Sequence, residues 1–142
     1  YSGAVADLLA VRGLYFPLTA VDDAHFYSGD QCRSWMMVRA PELTQRAILE
    51  AVLRGDCYGT QGPEFGYGVE LDPDGSGVIR VESTPVERIW FMTDRPYEPD
   101  RCTEGHGITR AEYQIKPYDR FVRIEMQDAS GNCAWSGYAV RR

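Results

Sequence analysis

Apolar positions along the chain change their period. Over residues 3–12, Val5, Leu8, Leu9 and Val11 recur at helical spacing, and Gly13 stands where such a helix would be capped. Residues 14–21, Leu-Tyr-Phe-Pro-Leu-Thr-Ala-Val, form a nearly continuous apolar run. That run predicts a parallel strand covered on both faces, although Pro17 within it cannot donate to a ladder. Residues 34–39 predict a short strand. A second helix is predicted over 44–54, with Thr44 as N-cap and Gly55 just past its end. Ile48, Ala51 and Val52 make its apolar face, broadened by Leu49 and Leu53, and Gln45, Arg46, Glu50 and Arg54 fall opposite.

After Gly55 the period becomes two. Val69 and Leu71 alternate with Glu70, and Asp72-Pro-Asp-Gly-Ser-Gly77 is a turn cluster. Ile79, Val81 and Ser83 alternate with Val78, Arg80 and Glu82, and residues 87–93 form a further apolar run. A loop rich in Pro, Gly and charge is predicted over about 94–107. Thr109, Ala111, Tyr113 and Ile115 then alternate with Arg110, Glu112 and Gln114. The clearest strand sets Arg120, Val122, Ile124 and Met126 on one face and Phe121, Arg123 and Glu125 on the other. A turn at Asp128–Gly131 leads to a last strand over about 132–140. About six strands with short turns are the pattern of an antiparallel β-sandwich. The boundary with the preceding helix–strand–helix part falls near Gly59–Gly66.

Composition narrows the classes. Hydrophobic residues at 44% and charged residues at 25% describe a folded chain rather than a disordered one. The formal charge is −6 with pI about 4.9 and no Lys/Arg cluster, which argues against a nucleic-acid partner. No apolar run is long enough for a membrane span, and none reads as a signal peptide. Cys32, Cys57, Cys102 and Cys133 are widely spaced without a C-x-x-C pair, so free thiols and a cytoplasmic location are expected. The chain opens on Tyr1 rather than Met, as an engineered or proteolysed fragment would.

Asp23 and His25 carry the sharpest candidate chemistry. In an extended chain, residues i and i+2 face one side with Cα atoms about 6–7 Å apart, so both side chains could address one divalent metal. They follow directly on the apolar run 14–21, and α/β proteins bind ligands at the carboxyl ends of strands. A carboxylate with an imidazole suits Mn, Zn or Fe without choosing among them. The same triplet also arises by chance and as a surface hydrogen-bonded pair. Asp22 reads as a neighbour acting behind Asp23 or as the ligand in its place, with Asp23 favoured because it shares a face with His25. The Gly59–Pro63 turn, with Gly62, could cradle a phosphate on its amides or simply reverse the chain. His106, in Glu104-Gly-His-Gly107, reads as a solvated loop histidine. Trp35, Trp90 and Trp135 read as core aromatics in preference to a sugar-binding platform.

Several segments, in order, resemble the last third of the PHP (polymerase and histidinol phosphatase) family, in the branch with a C-terminal β-domain. Val21-Asp-Asp-Ala-His25 resembles that family's final D-x-H metal motif, and residues 43–55 resemble the helix after it. Tyr58-Gly-Thr-Gln-Gly-Pro63 resembles its Gly-Pro turn, and residues 118–128 and 131–136 resemble its closing strand pair. The resemblance implies an α+β chain. Residues 1–58 would be the terminal αβα piece of a distorted α/β barrel, and residues 59–142 an antiparallel β-sandwich. It implies a metal-dependent phosphoesterase in which metal-activated water attacks a phosphoester, with Asp23 and His25 as the last metal ligands in chain order. The family's H-x-H motif and its middle His and Glu ligands have no counterpart here. The chain alone is therefore expected to be inactive, and no catalytic side chain is singled out. Its expected partners are the missing N-terminal barrel portion, a phosphoester small molecule in the parent protein, and a second copy through self-association. The competing expectation is a β-sandwich binding or interaction module with no catalytic role.

Overall fold

The structure, a computed structural model, describes residues 3–27, 29–96 and 98–141. Its body is seven antiparallel strands in one sheet. They are β1 (Trp35–Val38), β2 (Cys57–Thr60), β3 (Phe65–Leu71), β4 (Gly77–Thr93), β5 (Cys102–Ile115), β6 (Phe121–Gln127) and β7 (Cys133–Arg141). The path runs β1-β2-β7-β6-β4-β3, and β5 pairs with β4 off that path. Two helices precede the long strands, α1 (Gly3–Ala10) and α2 (Gln45–Arg54). Among the described residues no helix is long and apolar enough to cross a membrane.

β4 organises the sheet. It is 17 residues long and has three partners. β5 follows it along one edge, whereas β3 pairs with its first half and β6 with its second along the other. Two sheet arms therefore diverge from one strand, and the sheet must curl between them. The curl comes where the β4–β5 register shifts, between Glu82 and Val86 and again before Arg88. Pro85 lies in the first shift, where its missing N–H breaks no ladder bond. The two runs expected at 78–83 and 87–93 are thus one bent strand. The loop expected over 94–107 gives way at Cys102 to β5.

The curl encloses one core. Ile79, Val81, Val86, Ile89 and Phe91 of β4 pack with Tyr113 and Ile115 of β5 and with Val122, Ile124 and Met126 of β6; Ala134 and Val140 of β7 complete it. One end is closed by a buried polar cluster. Tyr113 Oη donates to Asp119 Oδ2 at 2.8 Å, and Arg101 Nη1 donates to Pro96 O at 2.7 Å. Burial, chiefly, pushes the Tyr113 phenol far above its ordinary pKa.

α2 begins and ends where its caps dictate. Thr44 Oγ1 accepts the Ala47 N–H at 3.3 Å, and Gly55 adopts φ 85, a left-handed conformation that favours glycine. The helix buries only Ala47 and Ala51 fully and leaves Leu49 and Leu53 exposed.

The antiparallel, β-rich body matches expectation; the αβα barrel piece does not appear. Residues 14–21 form no strand, and Leu14, Phe16 and Val21 are exposed. With Pro17 interrupting any ladder, the segment is held through side chains instead. It lies as a strap against the outer face of β6 and β7. Tyr15 meets Tyr138 edge-on at 5.2 Å, and Tyr15 Oη donates to Arg120 O at 3.3 Å. β1 and β2, from the first part of the chain, join the same sheet as β7, so hydrogen bonding runs across residues 58–59 without a break.

Candidate functional site: a strapped cleft on the outer face of the sheet

β6 is buried on both faces, and the reason leads to the site. Val122, Ile124 and Met126 point into the core. On the other face Arg123 is 1% exposed, although it is a guanidinium. A cation is buried only when paired and hydrogen-bonded. Arg123 donates to Asp7 of α1 at 2.6 Å (Nε to Oδ1) and 2.5 Å (Nη2 to Oδ2), and through Nη1 to Glu125 on its own strand. This triad latches α1 onto the sheet. Arg120 Nη1 adds a bond to Val11 O at 2.9 Å.

Further along, the strap passes over β7 and β2. Ala20 is nearly buried there, and the approach is tight. A Cβ on Gly59 would stand 2.7 Å from the Trp135 indole and 2.8 Å from the Ala20 Cβ. Only glycine leaves room for both.

Between latch and crossing lies a cleft of about 500 Å³. Its floor is one row of the sheet. Trp90 of β4 stands opposite Glu125 of β6, Glu125 stands opposite Trp135 of β7, and Trp135 stands opposite Gly59 of β2. Directly paired residues share a face, and neighbouring strands are about 4.8 Å apart, so Trp90 and Trp135 flank Glu125 in the row from backbones about 10 Å apart, with the Trp135 indole lying over Gly59. Leu18 and Thr19 of the strap form one wall, with Gln61 and Cys133 at the rim. Gln61 Oε1 accepts the Cys133 N–H at 3.0 Å, which fixes that rim. Burial, with Glu125 nearby, raises the Cys133 thiol pKa, so the thiol stays protonated at neutral pH.

Two other depressions are less equipped. One of about 450 Å³ between β2 and β3 is lined by Met37, Tyr58, Phe65 and Tyr67, with Arg39 and Asp56 paired at 3.7 Å beside it. One of about 620 Å³ lies between the end of α1 and the β5–β6 turn, where Arg120 is already committed to Val11.

The residues singled out from sequence lie elsewhere. Asp23 is exposed with φ 53, a left-handed conformation, so the extended run that would align it with His25 breaks at that residue. His25 is exposed, and its ring stacks on Tyr27 at 6.0 Å. The neighbouring carboxylates are engaged by backbone amides. Asp22 Oδ1 accepts the N–H groups of Arg33 at 2.8 Å and Ser34 at 2.5 Å. Asp30 accepts those of His25 at 2.8 Å and Phe26 at 3.1 Å, and the His25 amide, above all, holds the Asp30 pKa below its ordinary value. Asp22 thus closes the loop on itself.

Among the described residues no group of three or more His, Cys, Asp or Glu side chains is placed to hold a metal. Asp23 and His25 therefore make at most an incomplete donor set, and no hydrolytic step follows from them. In the Gly59–Pro63 turn the Gln61 N–H donates to Cys133 O at 2.8 Å and the Gly62 N–H to Thr60 Oγ1 at 2.9 Å. Those amides serve the turn itself. His106 pairs with Glu87 at 2.8 Å, on a side chain 92% exposed.

The row Trp90–Glu125–Trp135 was missed in the sequence because its members come from three strands. No protein-family model, curated protein or solved structure matches the chain.

Proposed function

We propose that the chain is a binding module that takes a small ligand in the cleft beneath the strap, with no catalytic role of its own. One observation carries this reading. The cleft has the size of a small-molecule site and the mixture such sites use, apolar and aromatic walls with a few polar residues, here Glu125, Gln61 and Thr19. Neither Asp23 nor His25 lines it. The phosphoesterase reading would need further metal donors from another chain or segment, beyond the pair that Asp23 and His25 could supply.

The three tryptophans supply the test. Trp90 and Trp135 line the cleft, while Trp35 of β1 does not and serves as an internal control. A fragment library followed through indole N–H resonances should yield ligands that shift Trp90 and Trp135 and leave Trp35 unmoved. Absence of any such fragment would sink the reading. So would stoichiometric bound Mn, Zn or Fe that is lost in the Asp23→Ala/His25→Ala variant, which would restore the metallo-phosphoesterase proposal.

A further inference from the structure

We propose that the free edge of β5 docks a second copy of this chain, the two β5 strands pairing antiparallel about a two-fold axis at Ala111. No β5 residue lines the strapped cleft, so the inference stands independently of what that cleft binds.

The edge itself is the first observation. β5 runs for 14 residues, and among the described residues its only strand partner is β4. Along a strand paired on one side, alternate backbone N–H and C=O groups point away from the sheet and offer a ladder to a further strand. Natural edges are blunted by proline, lysine or inward-facing charge. From Ile108 to Ile115, β5 carries no proline and no lysine. Its charged side chains, Arg110 and Glu112, are exposed and stand beside Arg80 and Glu82 on the outer face.

The charge pattern is the second observation. Arg80 lies opposite Glu112 at 3.5 Å, and Glu82 lies opposite Arg110 at 3.2 Å. β5 thus presents a cation and an anion two residues apart on one face. Directly opposite residues of an antiparallel pair share a face. An axis at Ala111 therefore sets Arg110 of each copy against Glu112 of the other. A row of alternating charge, Arg80–Glu112–Arg110–Glu82, then crosses the joined sheets, with its two-fold mate beside it. Moving the axis one residue either way opposes Arg110 to Arg110 or Glu112 to Glu112, which is destabilising. The pattern fixes register as well as partner. The axis itself falls on Ala111, the smallest side chain between Ile108 and Ile115.

The other free edges lack these features. β1 spans four residues and carries no charge. The only charge on β3 is Glu70, which has no cation to meet on a second β3.

Sedimentation equilibrium of the wild type, Arg110→Glu, Glu112→Arg and an equimolar mixture of the two variants tests the pairing. The wild type should form dimers. Each variant alone sets like charges opposite one another on both sides of the axis and should dimerise at least about tenfold more weakly. The mixture brings opposite charges together again and should recover dimers close to the wild-type level. Circular dichroism checks that both variants are folded. On the wild type, amide hydrogen exchange should slow over residues 108–114 as concentration rises, and should not slow over β1 or β3. A wild type that stays monomeric up to about 1 mM would overturn the inference. So would association that both variants leave unchanged, association that the mixture fails to restore, or exchange over 108–114 that is indifferent to concentration.

Discussion

The curled sheet and the N-terminal strap are held by opposite means. In the sheet, twelve apolar side chains form one buried cluster, each no more than 4% exposed. In the strap and α1, Val5, Leu8, Val11, Leu14, Phe16 and Val21 are all exposed. That segment is fastened at discrete points instead: a buried ion triad at Asp7, an aromatic contact at Tyr15, and a close approach at Ala20. Burial holds the body as a cooperative unit, while the strap can be released one fastening at a time. The cleft lies where the two meet, so the molecule's candidate ligand site has one rigid wall and one that can lift.

The largest effect expected of a single substitution is in the body. Phe91 is 2% exposed and stacks on Tyr113 with ring centroids 5.5 Å apart. Phe91→Ala should cost about 4 kcal/mol through lost burial and the cavity left behind. Urea unfolding followed by circular dichroism and by indole fluorescence should shift together. If the strap truly depends on the body, no strap signal should survive the body's transition.

Asp7→Ala tests the latch. It removes one carboxylate from the buried Arg123 guanidinium and leaves its contact with Glu125, and should destabilise the protein by about 2 kcal/mol. The more telling measurement is limited proteolysis. Cleavage within residues 11–22 should accelerate more than the loss of overall stability alone would produce. Cleavage that tracks global unfolding alone would mean that strap and body are one unit, and the contrast between them would fail.

Much of this division was legible in the sequence, though unevenly. α2 could be bounded because Thr44 and Gly55 act locally, one by its hydroxyl and the other by its backbone freedom. β6 was visible through its alternation. Its outer face was not, because Arg123 reads as a solvent-facing residue until Asp7, distant in sequence, is brought beside it. Residues 14–21 misled for a related reason: an apolar run describes what could be buried, and among the described residues no strand pairs with it. The runs 78–83 and 87–93 read as separate segments, yet Pro85 between them falls in a register shift and β4 continues through it. The same holds for the site. Asp23-Ala-His25 stands out as a local triplet, but the extended run that the sequence predicts there ends at Asp23, whose φ is 53. Trp90, Glu125 and Trp135 bear no local signature, since their alignment depends on the registers of three strands.

The smallest effect expected is at Leu8, which is 67% exposed on α1. Leu8→Ser removes no buried contact, so the unfolding midpoint should move by no more than about 0.5 kcal/mol in stability. That near-silence is itself informative beside Phe91→Ala: a large apolar side chain is removed in both, and the effect is set chiefly by where the side chain lies. Sedimentation of the wild type and Leu8→Ser across a concentration series completes the comparison. Association in the wild type that weakens in the variant would show that the outward face of α1 is covered by a second copy, as self-association requires. A wild type that remains monomeric throughout would leave Leu8 and its neighbours facing water in the isolated chain, and would confine the recognition surface to the cleft.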